Sequence, residues 1–488
     1  MPISLKPRDR EFLGALSDVV FGNPFTPERA DLIRRLAPEA PGDLGTDREA
    51  LARVVRQRLE PFLGRSAMQR MSDEDRRLLE PALLYVTYHR HVPQIDAHIE
   101  RQVGESGSPL ALDFGDAALA ELAAAGFVEE RAARFFAFFF QLRRAFYFIE
   151  RSLAGESESM ERFRQALWNN MFTHDMRAYE AALWNRMEDF STLLIGETGT
   201  GKGLAAAAIG RSEFIPYLPG QRRFAANFAE SFIAINLSQF SETLIESELF
   251  GHRKGAFTGA IDHHQGVFER CNAHGALFLD EIGEVSVPVQ IKLLQVLQER
   301  SFTAVGGGER KRFSGRVVAA TNRLLADLRH GGRFRDDFYY RLCSDVIQVP
   351  TLRQRLRESP AELAELVQLM VARTTGEEDR DLSGRVLDSL RRDLPHDYPW
   401  PGNVRELEQA VRRILLTGSY KPDVRAPAAD REERLAARMR EGNLSADELL
   451  SGYSAMLYDR LGSYAAVAER TRLDPRTSRK YVLSAKSG

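Results

Sequence analysis

The chain has 488 residues, of which 43% are hydrophobic, and a formal net charge of −2 at pH 7. This length allows about three domains of roughly 150 residues each, and the near-neutral charge excludes a protein that binds nucleic acid over its whole surface. Its two cysteines, Cys271 and Cys343, lack metal-finger spacing and predict a reduced, cytoplasmic protein without disulfides. We expect no signal peptide and no membrane span, because the apolar run at 135–140 is soon followed by Arg143 and Arg144.

Residues 1–155 are predicted to form a mainly helical domain with a sensory or regulatory role. Apolar residues recur there at helical spacing, and alternating β-branched runs are scarce. We expect one long helix from Glu129 to Leu153, which is a candidate for carrying a signal to the next domain. Its apolar stripe is typical of a core or a dimer seam rather than of a ligand site, and it consists of Phe135, Phe139, Leu142, Phe146, Ile149 and Leu153.

Side chains that can bind a metal ion crowd one short segment of this region. They are His89, His91, Asp96, His98 and Glu100. A polar helix edge, interrupted at Pro93, explains the same residues without a ligand. We favour this structural explanation over a metal or ligand site.

A glycine-rich turn is the first motif that indicates chemistry. A polar linker at 154–160 precedes a helical run from Glu161 to about Met187 and a short apolar strand from Ser191 to Ile195. The strand leads into GETGTGKG and a helix-forming stretch, which is the pattern of a phosphate-binding loop. In such a loop backbone N–H groups wrap the β-phosphate, and the lysine neutralises the β and γ oxygens. The loop residues are Gly196, Glu197, Thr198, Gly199, Thr200, Gly201, Lys202 and Gly203.

Position 203 departs from the general pattern. Gly203 stands where most phosphate-binding loops have Ser or Thr to hold magnesium. A chance glycine turn is the alternative until a second motif is found.

A second glycine-rich stretch, ESELFGHRKGAFTGA, occupies residues 246–260. Its glycines, Gly251, Gly255 and Gly259, allow backbone conformations with positive φ that other residues resist. A mobile loop with Phe257 at its tip can push on something outside the protein. A surface loop whose Phe folds back into the core is the alternative, and composition alone favours it.

Acidic residues follow the next apolar strand. ALFL at 276–279 ends in Asp280 and Glu281, and ligands of α/β sheets bind at the carboxyl ends of strands. Asp280 can bind Mg²⁺ through water, and Glu281 can orient or deprotonate the attacking water. A third strand at 316–320 leads to Asn322, whose amide is placed to sense the γ-phosphate.

Together these motifs resemble the AAA+ ATPase domain of bacterial enhancer-binding proteins, which activate sigma-54 RNA polymerase. GAFTGA is the signature of that family, and the resemblance continues through LFLDEIGE, the VGG at 305–307, AATN, FRDDFYYRL and YPWPGNVRELEQAV. It implies an α/β P-loop ATPase core and a helical lid within a sigma-54 interaction domain at 160–418, with the core ending near 350 and the lid at 351–418. It also implies ATP and Mg²⁺ as cofactors.

The resemblance assigns roles residue by residue. Lys202 is the phosphate lysine, and Asp280 and Glu281 form the Walker B pair. Asn236 matches the asparagine that holds the Walker B glutamate until the γ-phosphate is sensed, and Arg405 matches the sensor of the lid. The contact with sigma-54 falls on Gly255, Ala256, Phe257, Thr258, Gly259 and Ala260.

The family also implies assembly of several copies. Arg335 and Arg341 match arginines that are offered to the γ-phosphate of the neighbouring subunit. We therefore expect a homo-oligomer, a hexamer by resemblance. Residues 203–235 look longer than usual and are expected to form a surface insertion near the subunit interface. A second loop at 302–315 is expected to support the GAFTGA loop or to touch DNA.

Residues 419–440 read as a linker, and residues 441–488 as a DNA-binding domain. Helices are predicted at 445–461, 464–470 and from Pro475 onward, with Asp474 as N-cap. This spacing predicts a helix-turn-helix, and the basic C-terminal stretch suits phosphate contact. A small helical bundle is the alternative. The predicted DNA-facing residues are Arg476, Thr477, Ser478, Arg479 and Lys480.

The sequence thus predicts an ATP-driven activator that binds enhancer DNA and remodels the closed complex of sigma-54 RNA polymerase holoenzyme into an open one. A DNA-binding regulator that does not remodel polymerase, and an AAA+ remodeller of another target, are the alternatives. Residues 1–155 do not resemble a receiver domain, so their signal is an unknown ligand, metal or partner.

Overall fold

The computed structural model describes residues 4–38, 44–62, 70–323, 334–422, 435–436, 438–439, 442 and 444–487. The chain divides into two compact units. The first comprises Met1–Arg380 with Gly402–Leu407, and the second comprises Asp381–Pro401 with Glu408–Gly488. The division does not follow the expected border near residue 155, which stays a prediction.

The first unit begins with a series of helices. A polar N-cap starts the longest of them, where the Ser72 hydroxyl accepts a hydrogen bond from the Asp75 amide at 3.2 Å. The helices are α1 (Pro7–Phe21), α2 (Pro27–Leu36), α3 (Leu44–Leu59), α4 (Asp73–Gly104), α5 (Gly115–Ala124) and α6 (Glu129–Ser152). The single long helix predicted from Glu129 is therefore present as α6.

A five-stranded sheet follows, with the order β4–β5–β8–β1–β9. Every pairing in it is parallel, so all the strands end at the same edge. The α/β core predicted from the sequence is confirmed. Its strands are β1 (Thr192–Ile195), β4 (Phe232–Asn236), β5 (Ala276–Asp280), β8 (Arg316–Thr321) and β9 (Asp345–Gln348).

Helices and two short hairpins surround the sheet in the first unit. The hairpins are β2 (Tyr217–Leu218) with β3 (Arg223–Phe224), and β6 (Ser301–Thr303) with β7 (Arg310–Arg312). The helices are α7 (Glu158–Phe172), α8 (Lys202–Gly210), α9 (Glu242–Phe250), α10 (Val287–Glu299), α11 (Asp336–Leu342), α12 (Leu352–Glu358) and α13 (Glu362–Thr375).

Helix α6 joins the N-terminal helices to the sheet through one continuous hydrophobic core. The buried Arg144 donates from its guanidinium to the carbonyl oxygens of Arg211 (3.1 Å) and Glu213 (2.8 Å), just beyond the end of α8. A cation at the C-terminal end of a helix interacts favourably with the helix dipole. The N-terminal helices are therefore fixed to the helix that follows the glycine-rich turn.

The segment at 203–235 does not lie on the surface as predicted. Tyr217 packs on Phe136 with ring centroids 4.8 Å apart, and Phe224 packs on Phe140 at 4.7 Å. Tyr217 and Phe224 are both buried. Burying these rings against α6 removes more apolar surface from water than an exposed loop would.

The predicted helical run from 161 to 187 is shorter than expected. Helix α7 ends at Phe172, and Thr173 has a φ of 60°. Asp175 then caps a short helical turn by accepting from the Arg177 amide at 2.9 Å. The positive φ of a β-branched residue interrupts the helix, which the apolar periodicity did not reveal.

Several side chains in the segment of histidines and carboxylates at 89–100 form contacts within the protein. Among the described residues, no group of three or more His, Cys, Asp or Glu side chains could hold a metal ion. Asp96 pairs with Arg143, and Glu100 pairs with Arg151. His98 packs against the ring of Phe140.

The second unit is helical in its described parts. Helices α14 (Arg380–Asp393) and α15 (Asn403–Thr417) precede α16 (Ala446–Leu461), α17 (Tyr464–Thr471) and α18 (Pro475–Ser487). Leu457, Val467 and Val482 form a small core among the last three helices. Most of the predicted linker lies outside the described residues. None of the described helices is long and apolar enough to cross a lipid bilayer.

Candidate functional site

The glycine-rich turn connects β1 to α8 at the carboxyl edge of the sheet. Gly199 and Gly201 have φ values of 80° and 104°, which favour glycine. A Cβ on Gly199 would also overlap the carbonyl oxygen of Gly402. Backbone and packing together therefore require glycine at position 199.

Lys202 is folded over its own loop. Its Nζ donates to the carbonyl oxygens of Gly196 (2.7 Å) and Glu197 (3.0 Å). Burial lowers the pKa of Lys202, and the nearby Arg405 lowers it further, while Glu281 and Asp280 oppose them. Positive charge is thus concentrated where the loop would hold phosphate.

Glu197 joins the phosphate loop to two distant segments of the chain. Its carboxylate accepts from Arg353 at 2.8 Å and from the Asn403 amide at 3.0 Å. Asn403 also donates to the Thr198 carbonyl oxygen (3.1 Å) and accepts from the Leu352 amide (2.9 Å). The Asn403 side chain therefore joins the loop to α12.

Arg405 lies beside the loop, and its role as the lid sensor stays a prediction. Its backbone amide donates to the Gly199 carbonyl oxygen at 3.3 Å. Because its charge also affects the pKa of Lys202, Arg405 and Lys202 lie near one another. The two cations can act on the same anion.

The Walker B residues end β5 next to Asn236. Asn236 is paired in register with Asp280 on the neighbouring strand. Glu281 adopts a φ of 56°, which is uncommon for a residue with a side chain and points to a functional constraint. Burial first, and Asp280 second, raise the pKa of Glu281.

The contact predicted between Asn236 and Glu281 is not present in this structure. The Asn236 side-chain oxygen accepts instead from the Ser238 amide (3.0 Å) and hydroxyl (2.7 Å). The buried Oε2 of Glu281 has no hydrogen-bond partner among the described residues. The role of Asn236 as a switch therefore stays a prediction.

Asn322 links the two motifs. Its side-chain amide donates to the Thr198 hydroxyl at 3.3 Å. Its backbone amide bonds to Glu281 and opposes the rise in the pKa of that carboxyl. A phosphate group bound between Thr198 and Glu281 would contact Asn322 as well.

The donor set fits a magnesium ion. Asp280 and Glu281 offer carboxylate oxygens, which are the ligands that Mg²⁺ prefers, and Glu281 Oε2 lacks a protein partner among the described residues. A Cβ at Gly203 would meet only the Phe278 ring at 4.0 Å. The absence of Ser or Thr there therefore leaves space but no hydroxyl ligand.

The GAFTGA loop is a compact turn with an exposed tip. The Gly255 amide donates to the Ala260 carbonyl oxygen at 2.8 Å. Gly255 and Gly259 have φ values of 81° and 103°, and Thr258 is exposed. The half-buried Phe257 packs edge-on against His252 at 4.9 Å, so its ring is folded back onto the base of the loop.

The second loop supports the first, as expected. The Arg253 amide donates to the Val305 carbonyl oxygen at 3.0 Å, and the Val305 amide donates to the Gly251 carbonyl oxygen at 2.9 Å. A Cβ at Gly306 would come within 2.8 Å of the Ala256 Cβ. The close approach of the two loops therefore depends on a glycine at position 306.

The two predicted finger arginines differ in their surroundings. Arg335 is exposed and pairs with Asp337 at 2.8 Å. Arg341 donates to the Leu297 carbonyl oxygen at 2.7 Å and is half-buried. Arg335 is therefore the freer of the two to reach another subunit.

Similar proteins identify this region. The sigma-54 interaction domain family matches residues 171–348. The Nif-specific regulatory protein of Azotobacter vinelandii is 44% identical over 274 residues, which cover 55% of this chain and 48% of that protein. The NtrC protein of Azospirillum brasilense is 42% identical over 233 residues, covering 48% of this chain and 44% of that protein. The sigma54-dependent transcriptional activator SfnR of Pseudomonas putida is 42% identical over 230 residues, covering 46% of this chain and 57% of that protein.

Residues 171–348 therefore resemble sigma-54 interaction domains. The chain spans about half the length of the curated relatives that it matches. The GAFTGA loop, the glycine-rich turn and the Walker B residues all lie within the matched range.

The residues predicted to face DNA lie outside the sigma-54 interaction domain, on α18. Arg476, Arg479 and Lys480 are exposed. Asp474 caps the helix as predicted, by accepting from the Arg476 amide at 2.8 Å. Ser478 is fully buried, so its predicted DNA contact is wrong. Thr477 is only half-buried, and its DNA contact stays a prediction.

Sequence reasoning did not predict the two residues that bond to Glu197 of the phosphate loop. Arg353 and Asn403 meet Glu197 from segments about 150 to 200 residues away in the chain. Asn403 has a φ of 52°. A positive φ before a helix is not visible in the sequence, although Asn is among the residues that adopt it most readily.

Proposed function

We propose that this protein is an ATP-driven activator of sigma-54 RNA polymerase that binds enhancer DNA and opens promoter complexes. One observation carries the proposal: a sigma-54 interaction domain whose phosphate loop and Walker B residues are assembled at one edge of the sheet also presents an exposed GAFTGA tip. This function requires the cytoplasm, where promoter DNA lies.

ATP binding would engage groups that are now held by the loop itself. Lys202 now bonds to two loop carbonyl oxygens, and a phosphate oxygen is a stronger partner for a cation than a neutral carbonyl. Asp280 would hold Mg²⁺ through water, and this ion neutralises phosphate charge when bound. Arg405 would meet the phosphates from the side of the lid.

Glu281 would serve as the base for hydrolysis. Its free Oε2 can accept a hydrogen bond from the attacking water, and its raised pKa makes the carboxylate a better proton acceptor. Asn322 contacts both Glu281 and Thr198. It is therefore placed to register whether a γ-phosphate is present.

Hydrolysis would be completed by a neighbouring copy of the chain. Arg335 is exposed and would exchange its Asp337 partner for a phosphate. Such arginine fingers raise rates by about 10³ to 10⁵ in other nucleotide hydrolases. We infer a homo-oligomer on this basis, a hexamer by resemblance to the family, with Arg341 as a second contributor.

The GAFTGA loop would transmit the result to sigma-54. Phe257 rests on His252, and His252 is held by the Ser247 hydroxyl at 2.7 Å. Ser247 lies on α9, directly after the segment that begins with Asn236. A movement of that segment would release Phe257 toward sigma-54 together with Thr258.

Open-complex formation by sigma-54 polymerase with the full chain tests the proposal. Thr258→Ala should abolish open complexes and retain ATP hydrolysis, because Thr258 is exposed and lies away from the phosphate loop. The matched control is Thr417→Ala, an exposed threonine at the end of α15, which should behave as the parent chain.

Two results would contradict the proposal. Full-rate open complexes with Thr258→Ala would remove the loop from the mechanism. ATP hydrolysis by the parent chain without any open complexes would favour a remodeller of another target.

Removal of residues 475–488 should weaken enhancer binding and leave ATP hydrolysis intact.

A further inference from the structure

A cavity of about 800 Å³ lies among the N-terminal helices and is unrelated to the nucleotide site. Its size falls within the range of sites for small organic ligands, roughly 300–1,000 Å³. Helices α1 to α4, α6 and α7 all contribute to its wall. One part of the wall is apolar and aromatic, and includes Phe135, Phe139, Leu142, Phe146 and Trp168.

Another part of the wall is cationic. Arg29 and Arg48 both line the cavity. Burial is the largest cause that lowers the pKa of each, and the charge of Arg48 lowers the pKa of Arg29 further. The pKa of Arg29 falls to about 10. Two like charges at one wall attract an anion to the space between them.

Two nitrogen atoms of the Arg48 guanidinium have no hydrogen-bond partner among the described residues. They are Nε and Nη2, and both are buried. The guanidinium carbon of Arg48 lies 4.3 Å from the ring centre of Phe146, so the charge is oriented by an aromatic face. Buried guanidinium groups are normally paired, and an unpaired one requires an explanation.

The remaining cavity charges do not neutralise this pair. Arg143 is already satisfied by Asp96, at 2.6 Å. Glu49 and Glu150 also line the cavity, but both are exposed. Neither forms an ion pair with Arg29 or Arg48 among the described contacts, although the charge of Glu150 slightly raises the pKa of Arg48.

Two uncharged donors complete the cationic wall. Burial, and then Arg48 and Arg29, lower the pKa of His89 to about 3, so its ring is neutral near pH 7. Burial raises the pKa of Tyr85 to about 12, so its hydroxyl keeps its proton. The two rings lie 4.2 Å apart. His89 can donate a hydrogen bond to an anion, and the Tyr85 hydroxyl can exchange its present acceptor, the Arg48 carbonyl oxygen at 3.4 Å, for an anion. Neither group adds a competing negative charge.

We propose that this cavity binds an apolar organic acid, whose anionic group pairs with Arg29 and Arg48 and whose aromatic or similarly flat body packs against Phe139, Phe146 and Trp168. The inference goes beyond the proposed function, because it assigns a ligand class to the N-terminal helices whatever the sigma-54 interaction domain does. The alternative is that the two arginines are only part of the folded framework.

Fluorescence titration of the full chain with anilinonaphthalene sulfonate tests the site directly. The matched neutral probe is N-phenylnaphthylamine, which has a similar aromatic body and no sulfonate. We expect one sulfonate probe per chain, displaced by naphthoate and not by naphthamide. Equal displacement by the acid and the amide would overturn the proposal without the use of any variant.

Variants locate the charge. Arg48→Met should weaken binding of the sulfonate probe about tenfold or more, because it loses a charged hydrogen bond, and should keep binding of the neutral probe. Arg35→Gln, an exposed arginine on α2, is the control and should bind as the parent chain. Unchanged affinity for the sulfonate probe in Arg48→Met would contradict the assignment.

A second variant protects the test against a folding defect. If Arg48→Met loses the neutral probe as well, Arg29→Gln replaces it, with the same expected result. ATP hydrolysis of each variant is measured in parallel. If the parent chain forms no open complexes but still prefers the anionic probe, the proposed function fails and this inference stands. If open complexes form and the preference for the anion is absent, this inference fails and the proposed function stands.

Discussion

The nucleotide site and the N-terminal cavity each contain a cation that is largely removed from water, but the two cations differ in their hydrogen-bond partners. Lys202 donates to two carbonyl oxygens of its own loop. Arg48 has two buried nitrogen atoms without any partner among the described residues. Under the proposed function a phosphate would replace the carbonyl partners of Lys202, whereas Nε and Nη2 of Arg48 have no partner of this kind among the described residues.

This difference separates a site built from one contiguous segment from a site assembled by tertiary packing. In the phosphate loop, partner and cation lie within six residues. In the cavity, Arg29, Arg48 and Phe146 come from three helices. Helix α6 contacts the surroundings of both sites, since Arg143 lines the cavity and Arg144 bonds to the chain just after α8.

The largest effect is expected from removing the base at the nucleotide site. Glu281→Gln should lower the rate of ATP hydrolysis by about 10²- to 10⁴-fold, the usual contribution of general-base catalysis. ATP affinity should change little, because Lys202 and the loop glycines remain. Steady-state hydrolysis and equilibrium ATP binding measure the two quantities separately.

Glu284→Gln is the control for that variant. Glu284 is an exposed neighbour that pairs with Arg323, and its loss should leave hydrolysis within about twofold, in line with a surface ion pair. Hydrolysis by Glu281→Gln at the rate of the control would assign the base to another residue.

The second effect contrasts a compensated buried cation with an uncompensated one. Arg316 is buried and bonds to Glu213 at 3.0 Å and to Asn170 at 2.9 Å. Arg316→Met should lower the free energy of unfolding by about 3–5 kcal/mol, because it leaves a buried carboxylate unpaired. Arg48→Met should cost far less or even stabilise the chain, since Nε and Nη2 of Arg48 have no partner among the described residues that would be left unpaired.

Urea unfolding of both variants, without added ligand, measures this contrast. Equal losses of stability would show that Arg48 is as much a structural residue as Arg316. That result would weaken the case for a ligand site without affecting the nucleotide site.

The third effect is a pH dependence that originates in the cavity. The pKa of His89 is about 3 in the folded chain and about 6.5 when unfolded, so at acidic pH the unfolded chain binds a proton that the folded chain does not. Stability from this residue is therefore present above about pH 6.5 and is lost as the pH falls toward 3. Between pH 7.5 and pH 5 the loss is up to about 2 kcal/mol.

Urea unfolding at the two pH values checks this, with His89→Gln as the comparison. The variant should lose less stability on acidification than the parent chain, because glutamine does not titrate. Identical losses would mean that His89 is protonated in the folded chain and that the cationic wall is weaker than inferred.

Local patterns made the nucleotide site predictable, whereas packing determined the rest. The parallel core, Lys202, Asp280 and Asn322 follow from short motifs whose spacing fixes their place at strand ends. The docking of Tyr217 on α6, the bonding of Asn403 to Glu197 and the burial of Ser478 depend on contacts between distant segments. Helical periodicity predicted α6 correctly. It could not show that Arg143 lines the cavity whereas Arg144 bonds to the chain after α8.

The smallest effect should arise at the support of the GAFTGA loop. In Gly306→Ala the new Cβ would lie 2.8 Å from the Ala256 Cβ, at a φ of 71°. Strain of this kind costs about 1–3 kcal/mol, and about 1.4 kcal/mol corresponds to a tenfold change in rate. Because the strain falls on the loop and not on the phosphate site, open-complex formation should slow about tenfold while ATP hydrolysis stays near the parental rate. Gly308→Ala is the matched control, since no atom lies within 4 Å of a Cβ there, and an equal loss in both variants would exclude the loop contact as the cause.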